Sequence, residues 1–360
     1  MDKFYFYGPV KTFFKPEKEE IFRELLTYYD KIGVISGKSA IYKTGFRDFL
    51  VTTYQEKEFL FFDEVEENPS INTVIKGAKF LRKNRCEIAI GFGGGSSLDA
   101  AKAMAFFAKN EGGFYEMLSK QIVERSLPLI LVPTTCGTGS EVNNYSIITD
   151  VEKADKINFS KETTFADFAV LLPEYLTFLN EEVLISTLFD AFTHAFEGYI
   201  SLKANPFSDY IAEAALKNII SILKTYSECK SFDYEKALYS SSLAGFVILH
   251  TGTTLLHAFG YYLTNHKGIH HGKANALLLP VYFKMLKNSS VKKIEEVERI
   301  IDSNEFDIFG FIDEFYNKSF IKNILDENEV EDFVKYAIGK KNATFTPIET
   351  NFESILKYFQ

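Results

Sequence analysis

All six histidines of the chain lie beyond residue 190, so any imidazole chemistry is confined to its second half. Asp190 and His194 stand four apart within LFDAFTHAFEGY. On a helix that spacing turns a carboxylate and an imidazole the same way, one turn apart. Such a pair is ordinarily an exposed ion pair or a capping contact. Here Phe189, Ala191, Phe192, Ala195 and Phe196 surround it, which predicts a nonpolar setting where polar groups need partners. His257, in TTLLHAFG, falls on another apolar helix, and His271 lies in GIHHGKANALLLP, where glycines turn the chain before a new helix. Taken singly, each histidine reads as a satisfied core residue. Taken with Asp190 and His194, they make a possible four-ligand metal site.

A second kind of chemistry is written into the first half. The strand EIAIGF runs through Gly93-Gly94-Gly95 directly into the helix SSLDAAKAMAFFA. Glycines let a pyrophosphate approach the backbone, and the helix start offers free N–H groups and the positive end of its dipole. The run is not a full GxGxxG, since Ser96 takes the third glycine position, and alone it reads equally as a tight turn. Asp99 is placed in the first helical turn, as dipole compensation or in reach of a ribose or nicotinamide. A second loop of hydroxyls and glycines, Thr134-Thr135-Cys136-Gly137-Thr138-Gly139, follows another buried strand, LPLILVP. Two such loops on one sheet edge make a nucleotide crevice. After the first strand, where NAD-specific enzymes often place an acid, the chain reads Gly37-Lys38-Ser39. Lys38 and Ser39 suit a ribose 2′-phosphate, so NADP(H) is expected over NAD(H), the alternative being a solvated turn.

The elements that carry these residues follow from periodicity. The first half alternates apolar strands with amphipathic helices, the pattern of a parallel α/β layer. EEIFRELLTYY reads as helix, KIGVIS as strand, SAIYKTGFRDFL as one helix and FLFFDEV as strand; Asn68-Pro69-Ser70 opens a helix to about Asn84, with Pro69 in its first turn. DFAVLLP closes the alternation. From about Glu181 the apolar residues recur at helical spacing, which predicts a nucleotide-binding α/β domain over 1–178 and an all-helical metal and substrate domain over 179–360. KKIEEVERIIDSNEFD reads as solvated helix surface.

Composition narrows the function classes. Hydrophobic residues are 46% and charged residues 25%, a globular balance, and the net charge of −9 offers a nucleic-acid backbone no general attraction. The N-terminus has neither a basic leader segment nor a small-residue cleavage site, and no apolar run is long enough to cross a bilayer, so a cytoplasmic protein without a membrane partner is expected. Cys86, Cys136 and Cys229 lack metal-type spacing and are expected to be reduced, mostly structural thiols.

Taken in order, GGGSSLDAAKAMA, PTTCGTGSEV, DAFTHAFEGY and HHGKANALLLP resemble the iron-containing, or group III, alcohol dehydrogenases along almost the whole chain. The resemblance implies a Rossmann-like N-terminal domain, a helical C-terminal domain and a homodimer. It implies metal ligation by Asp190, His194, His257 and His271. It also implies cofactor contacts from Gly94, Gly95, Ser96, Asp99, Thr134, Thr135 and Thr138, and from Lys156 in the EKADK loop. Several relatives carry a further histidine one turn after the third ligand, suspected of relaying a proton; here Tyr261 stands there, with His266 or His270 as substitutes. The expected activity is reversible hydride transfer between NADP and a small primary alcohol or diol, such as butanol or 1,3-propanediol, with Fe2+ favoured and Zn2+ allowed. A glycerol dehydrogenase or dehydroquinate-synthase-like enzyme on the same fold, or a noncatalytic nucleotide-binding protein, are the alternatives.

Overall fold

Strands that are apolar on both faces can only lie between two covering layers, and the central strands here are of that kind. In the computed structural model, which describes residues 3–316 and 324–359, the strands β1 (Lys11–Phe14), β2 (Lys31–Ser36), β3 (Glu58–Phe62), β4 (Ile88–Gly93), β5 (Leu129–Pro133) and, after the hairpin β6 (Ile147–Asp150) and β7 (Asp155–Asn158), β8 (Phe168–Leu171) are the extended elements. Six of them form one parallel sheet in the order β1-β8-β5-β4-β2-β3. Side chains alternate between its faces. Ile32, Val34, Ile88, Ile90, Ile130 and Val132 meet α1 (Lys18–Leu25), α2 (Lys38–Lys43) and α3 (Phe46–Thr53). Ile35, Ala89, Leu129 and Leu131 meet α4 (Ile71–Lys83) and α5 (Gly95–Lys109). A short α6 (Phe114–Ser119) follows.

The strand order fixes where a ligand can enter. β3 lies on one side of β2 and β4 on the other, so the chain reverses its direction of travel across the sheet between β2 and β4. In such sheets the crevice opens beyond the carboxyl ends of the strands at that point. Those ends carry Gly37 and Gly93, two of the positions the sequence singles out.

Several local expectations need correction. SAIYKTGFRDFL is two helices, because Gly45 at φ 69 breaks it between α2 and α3. Pro69 lies outside α4: Ser70 is the cap, its hydroxyl accepting the Thr73 N–H, so proline precedes the cap instead of filling the first turn. Asp99 is the fifth residue of α5, beyond the first turn and buried, so dipole compensation is not its task. The edge strand β1 and the β6–β7 hairpin carry no sequence signal strong enough to be expected; KTFF is too short to show a period.

The helical elements are α7 (Glu181–Ile200), α8 (Pro206–Cys229), α9 (Tyr234–Thr251), α10 (Leu255–Lys267), α11 (His271–Asn288), α12 (Lys292–Ser303), α13 (Ile308–Tyr316), α14 (Glu327–Ile338) and α15 (Phe352–Leu356). α7 is buried on every side from Leu184 to Ile200, and α8, α9 and α11 pack around it. The charged α12 buries only Ile294, Val297, Ile300 and Ile301, the stripe of a surface helix. Contacts divide the chain into two units. One holds Tyr7–Thr135 and Gly139–Leu179; the other holds the chain from Asn180 onward, the N-terminal residues up to Phe6, and Cys136–Thr138. Among the described residues no single helix is long and apolar enough to cross a membrane.

Candidate metal centre and nucleotide loops

The helical unit places its chemistry on three helices. Asn180 caps α7 by accepting the Val183 N–H, and ten residues on, Asp190 presents a buried carboxylate. His257 is in the first turn of α10 and His271 is the first residue of α11. Gly272 permits the approach of α11: a Cβ there would stand 2.0 Å from the Ser186 carbonyl oxygen of α7. Any side chain would hold His271 away from Asp190.

The result is convergent. His257 Nε2 lies 3.6 Å and His271 Nε2 3.8 Å from Asp190 Oδ1. One ligand atom from each of the three residues falls within 4.8 Å of the others. The Asn275 amide nitrogen, one turn along α11 from His271, sits among them at 3.1 Å from Asp190 Oδ1 and 3.3 Å from each histidine Nε2. Its two protons cannot serve three acceptors at once. Hydrogen bonds on the far sides of the rings turn their Nε2 atoms inward. His257 Nδ1 donates to the Glu197 carboxylate. The Thr264 hydroxyl gives its proton to Gly260 O, leaving its oxygen to accept from His271 Nδ1 at 3.4 Å. One carboxylate and two inward ring nitrogens, which a cation binds in place of protons, are the donor set of a divalent first-row metal, so the residues present fit such an ion.

His194 stands beside this trio. Its ring stacks on His257 with centroids 4.6 Å apart, and its Nδ1 faces the Gly137 carbonyl at 3.2 Å. Its atoms do not meet the 4.8 Å spacing shared by the other three. Burial lowers the His194 pKa, against the pull of Asp190, which favours a neutral ring that donates from Nδ1 and keeps its Nε2 lone pair. Burial alone would raise Asp190, but the three imidazoles outweigh it and hold the carboxyl far below its ordinary range. Burial likewise disfavours a charged His257, yet Glu197 and Asp190 prevail and raise it to about 9, so without a metal the ring also carries a proton on Nε2, facing Asp190, which a bound cation would displace. Asp190 therefore stays ionised.

Tyr261 stacks on the His271 ring at 5.2 Å and 15°. His270 is half-buried, its Nδ1 without a hydrogen-bond partner. His266 is exposed and lies on Tyr262, with Tyr336 beside it.

In the α/β unit, Gly93 adopts φ 143, a conformation closed to other residues, as the chain turns from β4 into α5. The Ser97 hydroxyl accepts the Gly37 N–H at 3.1 Å and that of Ser96 accepts the Asn68 N–H at 3.1 Å, which ties the start of α5 to the segments that follow β2 and β3. Gly94 and Gly95 begin α5, half-buried. Thr134 is buried and donates its N–H to Gly93 O; Thr135 packs against Gly94. Thr138 is half-buried, in the segment grouped with the helical unit. Lys38 and Ser39 are exposed in the first turn of α2, and Lys156 lies on β7 opposite Thr149.

Asp99 is engaged inside the unit. Its carboxylate accepts from the Ser140 hydroxyl, the Ile147 N–H and the Lys102 ammonium at 3.2 Å. Lys102 is completely buried and also donates to the carbonyls of Ser140 and Tyr145. Sequence reasoning passes over Lys102, Glu197 and Asn275, although each sits three or four residues from a residue it does single out.

Two family models cover the chain: iron-containing alcohol dehydrogenase over residues 9–173, and the C-terminal region of the Fe-containing alcohol dehydrogenase family over residues 184–360. The chain belongs to the iron-containing alcohol dehydrogenase family. The crystal structure of an iron-containing alcohol dehydrogenase from Thermotoga maritima is 34% identical, covers 99% of this chain and 98% of its own, and superposes with a TM-score of 0.86. A sulfoacetaldehyde reductase from Bifidobacterium kashiwanohense, solved in complex with NAD+, is 25% identical, covers 100% of this chain and 98% of its own, with a TM-score of 0.87. Long-chain-alcohol dehydrogenase 1 of Geobacillus thermodenitrificans is 32% identical over 250 residues, which span 68% of this chain and 62% of that protein. The Rossmann-like sheet followed by a helical region is the family's architecture, as the motif order implies.

Proposed function

We propose that this member of the iron-containing alcohol dehydrogenase family interconverts a small primary alcohol or diol and its aldehyde, using a nicotinamide cofactor and a divalent metal, with iron(II) favoured and zinc allowed. One observation carries the reading. Asp190, His257 and His271, from three separate helices, aim ligand atoms at one point, with the two rings turned inward by outer hydrogen bonds. Asp190, His257, His271 and the neighbouring His194 would hold the ion. A metal bound there supplies Lewis-acid polarisation of the alcohol or carbonyl oxygen.

The protein's own residues do the rest. Asp190 contributes the fixed negative charge that retains the cation, and Thr264 keeps the His271 ring oriented. Tyr261, stacked on His271, stands where several relatives have a histidine. It offers a hydroxyl in place of a readily protonated imidazole, so proton release falls to the cofactor ribose, to His270 or to water. The glycine turn at Gly93–Gly95, the start of α5, and Thr134, Thr135 and Thr138 support cofactor binding, with Lys156 as a further contact.

Exposed Lys38 and Ser39, with no acid after β2, support NADP(H). The sulfoacetaldehyde reductase solved with NAD+ speaks for NAD(H), but the residues at the end of β2 are this chain's own. The test is turnover of butanal and of 1,3-propanediol by protein reloaded with iron(II) without oxygen, followed by absorbance of the reduced nicotinamide. A kcat/KM at least tenfold higher with NADPH than NADH for butanal, and with NADP+ than NAD+ for the diol, lost in Lys38→Ala, is expected. Equal efficiencies with both cofactors would overturn the NADP(H) preference, and absence of turnover with either would overturn the function.

A further inference from the structure

Glu197 is a fully buried carboxylate that is not one of the three convergent ligand residues Asp190, His257 and His271. It follows Asp190 by seven residues and His194 by three, so all three share one face of α7. Four donors meet it. Its Oε1 accepts the Thr254 N–H at 2.8 Å, the Thr254 hydroxyl at 2.6 Å and the His257 N–H at 3.2 Å, and its Oε2 accepts from His257 Nδ1. The backbone donors are those a helix leaves unpaired at its start. Thr254, the cap residue of α10, makes no side-chain cap of its own; its hydroxyl proton goes to Glu197.

We propose that Glu197 is the positioning residue of the metal centre: one carboxylate anchors the start of α10 to α7 and holds a proton on His257 Nδ1, so that Nε2, facing Asp190, is the ring nitrogen left for the metal. The proposal rests on the reading of Asp190, His257 and His271 as metal ligands. An anion is required for both tasks together. In Glu197→Gln the backbone N–H groups of Thr254 and His257 hold the amide oxygen in the Oε1 place, because turning the amide would face donors with donors. The amide NH2 then points at His257 Nδ1 and donates to it. The ring proton moves to Nε2, the atom that must bind metal.

The experiment measures zinc affinity of the metal-free full chain by competition with a chromophoric chelator, alongside the thermal midpoint. Glu197→Gln is expected to bind zinc about 10–100-fold more weakly than wild type, the range for lost outer partners of ligating histidines. Asn180→Ala, which removes the cap of α7 without touching Glu197, controls for destabilisation and is expected to stay within about threefold of wild type. Binding of zinc by folded Glu197→Gln as tightly as by wild type overturns the proposal, as does an equal loss in Asn180→Ala. Should Glu197→Gln not fold, zinc-loaded wild type decides: the His257 Nδ1 proton, bonded to a carboxylate, is expected far downfield in the proton NMR spectrum, and its absence there overturns the proposal. His271→Ala separates the two readings. If it binds zinc like wild type, the ligand assignment has failed and the proposal falls with it; if it loses zinc while Glu197→Gln does not, only the role of Glu197 has failed.

Discussion

Replacing Lys102 by Met removes a wholly buried ammonium and keeps most of its volume, so the change is electrostatic rather than steric. At 3.2 Å from Asp99 Oδ1, the attraction in wild type is about 5 kcal/mol at an effective dielectric of about 20. Desolvation offsets much of that: burial pulls the Lys102 pKa down against the opposing effect of Asp99. The mutant keeps the cost without the gain, because Asp99 stays buried, accepting from the Ser140 hydroxyl and the Ile147 N–H without its ammonium, while the carbonyls of Ser140 and Tyr145 each lose the Lys102 donor. Breaking one side of a buried pair costs about 3–5 kcal/mol. That corresponds to a fall of roughly 10 °C in the melting temperature of a unit this size. Lys102→Met with Asp99→Asn removes both charges and is expected to recover about half of the loss, which a double-mutant cycle in urea reads directly. A single mutant within about 1 kcal/mol of wild type would refute the view that this ammonium latches the 140–147 segment onto α5, and so would strictly additive losses.

Three further outcomes follow from named contacts. His257→Ala is expected to abolish metal stoichiometry by elemental analysis while NADPH affinity, followed by fluorescence, changes less than about twofold; retained metal would contradict the ligand assignment. Gly272→Ala forces a methyl carbon to within 2.0 Å of the Ser186 carbonyl oxygen, so α11 must shift from α7, costing about 1–3 kcal/mol in thermal unfolding and weakening metal retention; an unchanged melting temperature would show that the approach is not tight. Burial raises the thiol pKa of Cys136 to about 12 and that of Cys86 to about 11, which leaves almost no thiolate near neutral pH, whereas Cys229 is exposed. A disulfide reagent at about pH 8 should label one thiol in the native protein and three after denaturation, and rapid labelling of a second would show that one of the buried sites opens.

How much of this was legible in the sequence depended on whether the deciding contact was local. The sheet strands could be read because burial on both faces writes a continuous apolar run, as in KIGVIS and LILVP. The β6–β7 hairpin could not, since a two-stranded ribbon of four-residue strands has no period to detect. For the site, Asp190 and His194 announce themselves by lying one turn apart, but His257 and His271 reach Asp190 only through helix packing, which Gly272 permits and no spacing encodes. The same physics explains what was passed over. Lys102, Glu197 and Asn275 lie three, three and four residues after Asp99, His194 and His271, so helical geometry already put each near a residue under suspicion. What sequence alone withheld was burial. A lysine or glutamate three residues on from a polar neighbour reads as solvated surface until its helix proves to be enclosed, as α5 and α7 are. Once enclosed, such a charge must have partners, and finding them exposes the second layer of the site: Asp99 directed to its own loop, and Glu197 directed to the ring that faces Asp190.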